Sequence, residues 1–568
     1  MNQQLTRYFI DNLKKFSNKS FRDGKADQLQ LLNVFIRHFI STFMADDFRP
    51  DRADLLGFIE HNEVIANLME VAELGTTEPQ LTTLLPNSAD DTVLLKMMAL
   101  YSARNTLELS PDIFFERDAE AASLWYCVCI GNVDWAGVSA PSLARIRRLS
   151  HQIDHRLQYV AAFTSPYFTC TYVDETSVAP IRRRIHHIMR NLAPSLPIVG
   201  HVSGKRIAIV TDRWRSGNVI HRALAPFIHA LATEFDLSLV HLSDDEAGLD
   251  LQGINDVQCY CFHRERPEEV LALAGRFDML LFTDIGMGIE SIYLASLRLA
   301  PVQVMLCGHP ESSWSPAIDY FIHGADVIDP TLASSQFGEK LVLIPGCGHL
   351  STRPPYDWRR LLPPTNELRI ACCWSPQKIH PEHLQHLAAA AIDAGRPIKF
   401  LFLGLTGTSL QPLLRTLQKI LGPDRVETAA GLDYADYMAK LESCHFGVDS
   451  WPFGGYHTVV DLLWVRKPVV ALQGNRSFNR NAGFFQSQLG LADMITHTPE
   501  AFIALLRRMI VDDRWRELKT DMLQQADVER VLLSREPVAS FVAAIHMLLT
   551  NHPQLQATGS HEPLRVTA

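Results

Sequence analysis

The segment SWPFGGYHTVVDLLW, Ser450 to Trp464, breaks an apolar run with Pro, Phe, two glycines, Tyr, His and Thr before apolar residues resume around an aspartate. Gly454 and Gly455 permit a tight turn, because glycine adopts backbone conformations closed to other residues. A helix starting at His457 or Thr458 presents unpaired N–H groups and the positive end of its dipole, an arrangement that suits phosphate. Asp461 falls about one turn further on, where a carboxylate can accept hydrogen bonds from sugar hydroxyls such as a ribose diol. An N-terminal helical turn stabilised by an acidic residue accounts for the same residues, so the loop alone leaves both readings open.

A second loop, CCWSPQKIHP, also leads into a helix, with Pro381 suited to that helix's first position. Lys378 can place an ammonium on a diphosphate and neutralise charge as a leaving group departs, with the Ser375 hydroxyl donating beside it. A lone lysine is more often a solvated surface residue; two phosphate-suited loops in one lobe change that balance. In RLAPVQVMLCGHPESSWSPAIDYFI, Gly308 and Pro310 break a strand and set out His309, which can bond an acceptor, move a proton or cap a turn. His380, His383 and His386 in KIHPEHLQH invite a metal, but their spacing drifts around a helix and no partner carboxylate accompanies them, so no metal is expected.

The elements that must position these residues fall into two kinds. Residues 1 to about 195 carry helical periodicity, as in LQLLNVFIRHFISTFM, and read as an all-helical domain. The Pro-, Gly- and Ser-rich NLAPSLPIVGHVSGK, Asn191 to Lys205, reads as a linker. Beyond it, RIAIVT, LSLVHLS, VQCYCF, MLLFTDI and VQVMLCG alternate with helices, and LRIACCW, IKFLFLG, FGVDSWP and PVVALQG form a second series. Strands alternating with helices argue for parallel sheets. The expected organisation is a first Rossmann-like lobe at 205–360, a second at 366–550 and a flexible tail at 551–568, with a cleft near PPYDWRRLLPPTNE. In such sheets ligands sit outside the carboxyl ends of the strands.

Bulk properties narrow the classes. The 568 residues exceed one ordinary core. A formal charge of −10 with no long basic run argues against nucleic acid as main partner. The N-terminus lacks an apolar leader and no run of about 18 uninterrupted apolar residues occurs, so a cytoplasmic protein without a membrane span is expected. The ten cysteines include no CxxC pair and read as small buried residues.

Together, RLAPVQVMLCGHP with IDYFI, WSPQKIHP, and PFGGYHTVVDLLW followed by SFNRNAGFFQSQLGL resemble the glycosyltransferase family that contains O-GlcNAc transferase and the HMW1C-type adhesin glycosyltransferases. The resemblance covers about residues 205 to 550, and GHP, PFG and a helical N-terminus without tetratricopeptide repeats resemble the HMW1C branch. It implies an α/β GT-B fold preceded by an all-α domain, and a metal-independent inverting transfer from UDP-glucose or UDP-galactose. The implied acceptor is asparagine in Asn-X-Ser/Thr sequons of a surface adhesin, modified in the bacterial cytoplasm before export. By the same resemblance, Lys378 matches the diphosphate-contacting lysine, His457 and Thr458 the phosphate-binding helix start, Asp461 the ribose-binding aspartate, and Tyr437 a position packing on uracil. His309 matches the GHP histidine and His221 a later histidine of the first-lobe loop, whose usual catalytic histidine falls at Gly217 or Asn218 in DRWRSGNVIHRAL. His457 stands where HMW1C enzymes carry asparagine. Transfer to Ser/Thr or to a non-protein acceptor on the same fold, and a catalytically silent binding module, are the alternatives.

Overall fold

The computed structural model describes residues 2–18, 26–131, 137–174, 176–202, 204–361, 363, 366–403, 410–429 and 431–567. The chain forms two compact units, one of residues 1–181, 363–437 and 443–452, the other of 182–362, 438–442 and 453–568. Its strands in chain order are β1 (Arg206–Thr211), β2 (Asp236–His241), β3 (Asp256–Cys259), β4 (Met279–Phe282), β5 (Val302–Met305), β6 (Tyr320–Gly324), β7 (Lys340–Ile344), β8 (Leu368–Cys372), β9 (Ile398–Leu403), β10 (Val426–Ala429), β11 (Phe446–Val448), β12 (Val469–Leu472), β13 (Ile495–Thr496) and β14 (Leu564–Arg565).

The N-terminal part of the first unit is helical among its described residues, and its helices begin where local chemistry allows. Asp51 accepts from the Asp54 N–H at 2.9 Å and Asp90 from the Val93 N–H at 3.1 Å. Each satisfies a backbone donor that a first helical turn leaves open. The apolar stripes meet in an aromatic core, with Phe9–Phe39 and Phe43–Phe58 ring centroids each 5.2 Å apart and edge to face. The same unit holds four parallel strands in the order β10-β9-β8-β11.

The second unit contains an eight-stranded parallel sheet in the order β14-β7-β6-β5-β4-β1-β2-β3, together with the parallel pair β12 and β13. β4 and β5 are buried along their whole length, as a parallel sheet covered on both faces requires. Register places Val210 of β1 beside Phe282 of β4, and Phe282 beside Met305 of β5. The helix Val219–Leu231 lays Ile220, Leu224, Phe227 and Ile228 on this sheet. Helix Pro537–Ala557 joins the same core through Phe541, Ala544, Ile545 and Leu548, with Phe541 and Phe227 rings 4.6 Å apart. The apolar stretch Val528–Ala557 has the length and composition of a membrane span; its helix Pro537–Ala557 packs one face into this core. Residues 551–568, expected as a tail, hold the end of that helix and β14, whose Leu564 and Arg565 pair with Val342 and Leu343 of β7.

Candidate functional site

In the first unit, β8 delivers the chain into the Lys378 loop. Trp374 is buried and its indole N–H donates to the Val448 carbonyl at 2.9 Å, tying this loop to the end of β11. Residues Pro376–Lys378 then form a short 3-10 turn, closed by the Lys378 N–H on the Ser375 carbonyl at 2.8 Å. Desolvation lowers the Lys378 ammonium to about 8, while the Asp449 charge supports it. At neutral pH the group is a cation held in a partly dry environment, the state best suited to meet an anion. Tyr437 lies on the helix Tyr434–Glu442, half-buried, with its ring 6.0 Å from that of Tyr434.

His380 and His383 are buried core histidines. His383 Nε2 pairs with the Asp449 carbonyl at 3.0 Å and its ring leans on Trp374 at 5.1 Å. Burial lowers His380 to about 4 and His383 to about 3, so both are neutral at physiological pH.

In the second unit, three separated sequence motifs are folded together. The His309 ring stacks on Phe453 at 5.8 Å and 15°, and Phe453 stacks on Phe478 at 4.6 Å and 9°. A buried ion pair runs beside this stack, Arg476 Nη2 donating to Glu311 Oε2 at 2.5 Å. Ser477 Oγ donates to the Pro310 carbonyl at 3.0 Å, and the Ser312 N–H to Glu311 Oε1 at 2.9 Å. The GHP loop after β5 is thereby latched to the loop after β12. Gly454 and Gly455 are buried between Phe453 and the helix His457–Trp464. His457 and Thr458, half-buried, open that helix, and Asp461 is buried within it. Tyr456, just ahead of the helix, stacks on His349 at 4.5 Å, and its hydroxyl pairs with Ser351 Oγ at 2.9 Å.

His221 sits in the first turn of the helix Val219–Leu231, where the Asn218 side chain accepts from the Ile220 N–H at 2.9 Å. Gly217 takes φ +90°, a left-handed backbone that favours glycine, so the loop positions where the resembling family carries its histidine serve here as turn and cap. The His221 Nε2 is engaged with Asp250 Oδ2 at 2.7 Å, which His229 Nε2 shares at 2.9 Å. Burial opposes the Asp250 charge, but the Gln252 N–H and the two histidines outweigh it and hold the carboxyl below its usual range. His221 is therefore part of a clamp between this helix and the Asp250 loop.

Sequence reasoning missed Phe453, Phe478, Glu311 and Arg476 as partners of the GHP and PFGG motifs. Phe453 and Phe478 lay inside the quoted motifs. The Glu311–Arg476 pair is separated by 165 positions and carries no local signal.

The chain matches the UDP-glucose:protein N-beta-glucosyltransferase of Actinobacillus pleuropneumoniae serotype 5b (strain L20) at 23% identity over 443 residues, covering 72% of this chain and 70% of that one. The chain is a distant relative of these enzymes. The serotype 7 (strain AP76) protein of the same name is 22% identical over 442 residues. Among solved structures, an O-GlcNAc transferase mutant of Thermobaculum terrenum superposes with a TM-score of 0.58 and 17% identity, covering 94% of this chain and 99% of that one. No family model matches the chain. With its two parallel sheets and helical N-terminal region, the fold is GT-B.

Proposed function

We propose that the protein is a UDP-sugar-dependent glycosyltransferase that moves a hexose, from UDP-glucose or UDP-galactose, to asparagine side chains in Asn-X-Ser/Thr sequences of a polypeptide acceptor. The observation that carries this is the His309–Phe453–Phe478 stack with its Glu311–Arg476 latch, which draws the GHP, PFGG and SFNRN motifs into one place at the ends of β5 and β12. Distant relatedness to enzymes named for that activity supports it.

In this reading Lys378 counters the charge that develops on the departing diphosphate, and the N-terminus of the helix His457–Trp464 offers N–H groups to phosphate. Asp461 accepts from the ribose hydroxyls, with Ser375, Tyr437, Gly454, Gly455, His457 and Thr458 completing the donor contacts. His309 is buried rather than set out, and held flat on Phe453 it fixes the GHP loop on the acceptor side. The transfer inverts the anomeric centre without a metal, and the acceptor is an adhesin-type protein modified in the cytoplasm. The test is release of UDP from UDP-glucose with an Asn-X-Thr peptide and with its Gln-X-Ala counterpart. Release stimulated only by the first supports the reading; equal release with both removes asparagine as acceptor.

A further inference from the structure

Amide nitrogen is a poor nucleophile, and a transfer to asparagine must dispose of an amide proton. The eight-stranded sheet carries two neighbouring carboxyls just beyond its strand ends. Register sets Val210 beside Phe282, so Asp212 and Asp284, two residues beyond each, stand side by side where β1 and β4 end. That is the edge at which parallel α/β sheets receive ligands. Asp284 is 2% exposed, and the hydrogen bond it receives among the described residues comes from Thr283 Oγ1 to Oδ1 at 2.9 Å. A buried carboxyl with so little compensation is costly to ionise, which marks it for a function. Gly308 packs so closely on this strand end that a Cβ there would lie 3.0 Å from Asp284 Cβ, which brings the GHP loop against Asp284.

We propose that Asp212 and Asp284 act as one proton-accepting carboxylate pair for the acceptor nucleophile. This inference rests on the transfer to an amide given above. As the amide nitrogen forms its bond to the anomeric carbon, the bond from that carbon to the diphosphate oxygen breaks and its electron pair leaves on UDP. The amide proton passes to Asp212, the more exposed of the two, and is held between the two carboxyls. Burial, and next the Asp212 charge, push Asp284 up to about 7, while the Thr283 hydroxyl and Arg213 pull the other way. Arg213 Nε also faces Asp212 Oδ1 at 3.1 Å, and Glu290 approaches Asp212 across Gly288. Asp284 thus exchanges a proton near neutral pH, beside Asp212.

The experiment is the pH profile of hexose transfer from UDP-glucose to an Asn-X-Thr peptide by the wild-type chain, Asp284→Asn and Asp212→Asn, with UDP affinity measured alongside. Asp284→Asn is expected to lose about 10²–10⁴-fold in transfer, to bind UDP unchanged and to lose the acid limb. Asp212→Asn removes the carboxyl that receives the proton and is expected to lose transfer by a similar factor; the acid limb of its residual activity moves to lower pH, because a neighbouring negative charge is gone. A carboxyl raised in the folded state stabilises the fold only while protonated. The wild type should therefore lose thermal stability relative to Asp284→Asn as pH rises from about 4, the ordinary aspartate value, to about 7. Unchanged transfer and an intact acid limb in Asp284→Asn overturn the pair and leave the transfer reading standing. Absence of transfer by the wild type overturns the asparagine reading and the pair's role together.

Discussion

Lys378 offers the sharpest test of the proposed chemistry. Replacing it by Met removes the ammonium while keeping the apolar stem. A preorganised donor aimed at developing charge is worth about 2.7–4 kcal/mol, so turnover should fall about 10²–10³-fold. The fold should lose little, because the desolvation that lowers this group to about 8 is relieved when the charge goes. The same value fixes a pH dependence: the cation is the working form, so activity is present below about 8 and is lost as pH rises through it. Above that point turnover should drop about tenfold per pH unit in the wild type. Lys378→Arg, which stays charged, should retain activity to higher pH at a lower ceiling. The assay is steady-state UDP release between pH 6 and 10, with a melting curve at each pH to show that the fold persists. A Met variant within threefold of wild type, or a basic limb unchanged in the Arg variant, would refute this role.

Other consequences follow from the same geometry. Arg476→Ala strands the buried Glu311 carboxylate and should cost roughly 3–5 kcal/mol, seen as a clear fall in chemical-denaturation midpoint; an unchanged midpoint rules out the latch. Asp461→Ala should weaken UDP binding in calorimetry by about 1.5–3 kcal/mol, the value of hydrogen bonds to a charged group, and equal affinity would remove it from the ribose. With Asp284 raised to about 7 and Lys378 lowered to about 8, transfer should peak in a narrow band between these values. A broad plateau from pH 6 to 9 would contradict both assignments.

Much of the fold was legible because parallel strands read as short apolar runs. Every strand quoted in the two series is present, from β1 through β5 and in β8, β9, β11 and β12. β14 was not legible: Leu564 and Arg565 carry no strand pattern and gain theirs by lying along β7. At the site, glycine, proline and histidine mark loops locally, which is why His309 and the Gly454–Gly455 segment stood out. Partners that arise only when distant loops meet did not, as with Phe453 on His309 and Arg476 on Glu311. His221 was legible in type and not in partner. Its type marked it in the sequence, but its engagement with Asp250 through Nε2 carries no local signal. Asp284 was unremarkable within MLLFTDI, since its burial and its neighbour across the sheet appear only once β1 and β4 are paired.

Hexose transfer to an asparagine sequon is read most directly from the intact mass of a peptide. An Asn-X-Thr peptide and its Gln-X-Ala control are incubated with the protein and each of UDP-glucose, UDP-galactose and UDP-GlcNAc. One hexose is expected on the Asn-X-Thr peptide alone, from UDP-glucose or UDP-galactose. No mass added from any donor, by a protein that still binds UDP in calorimetry, would contradict it.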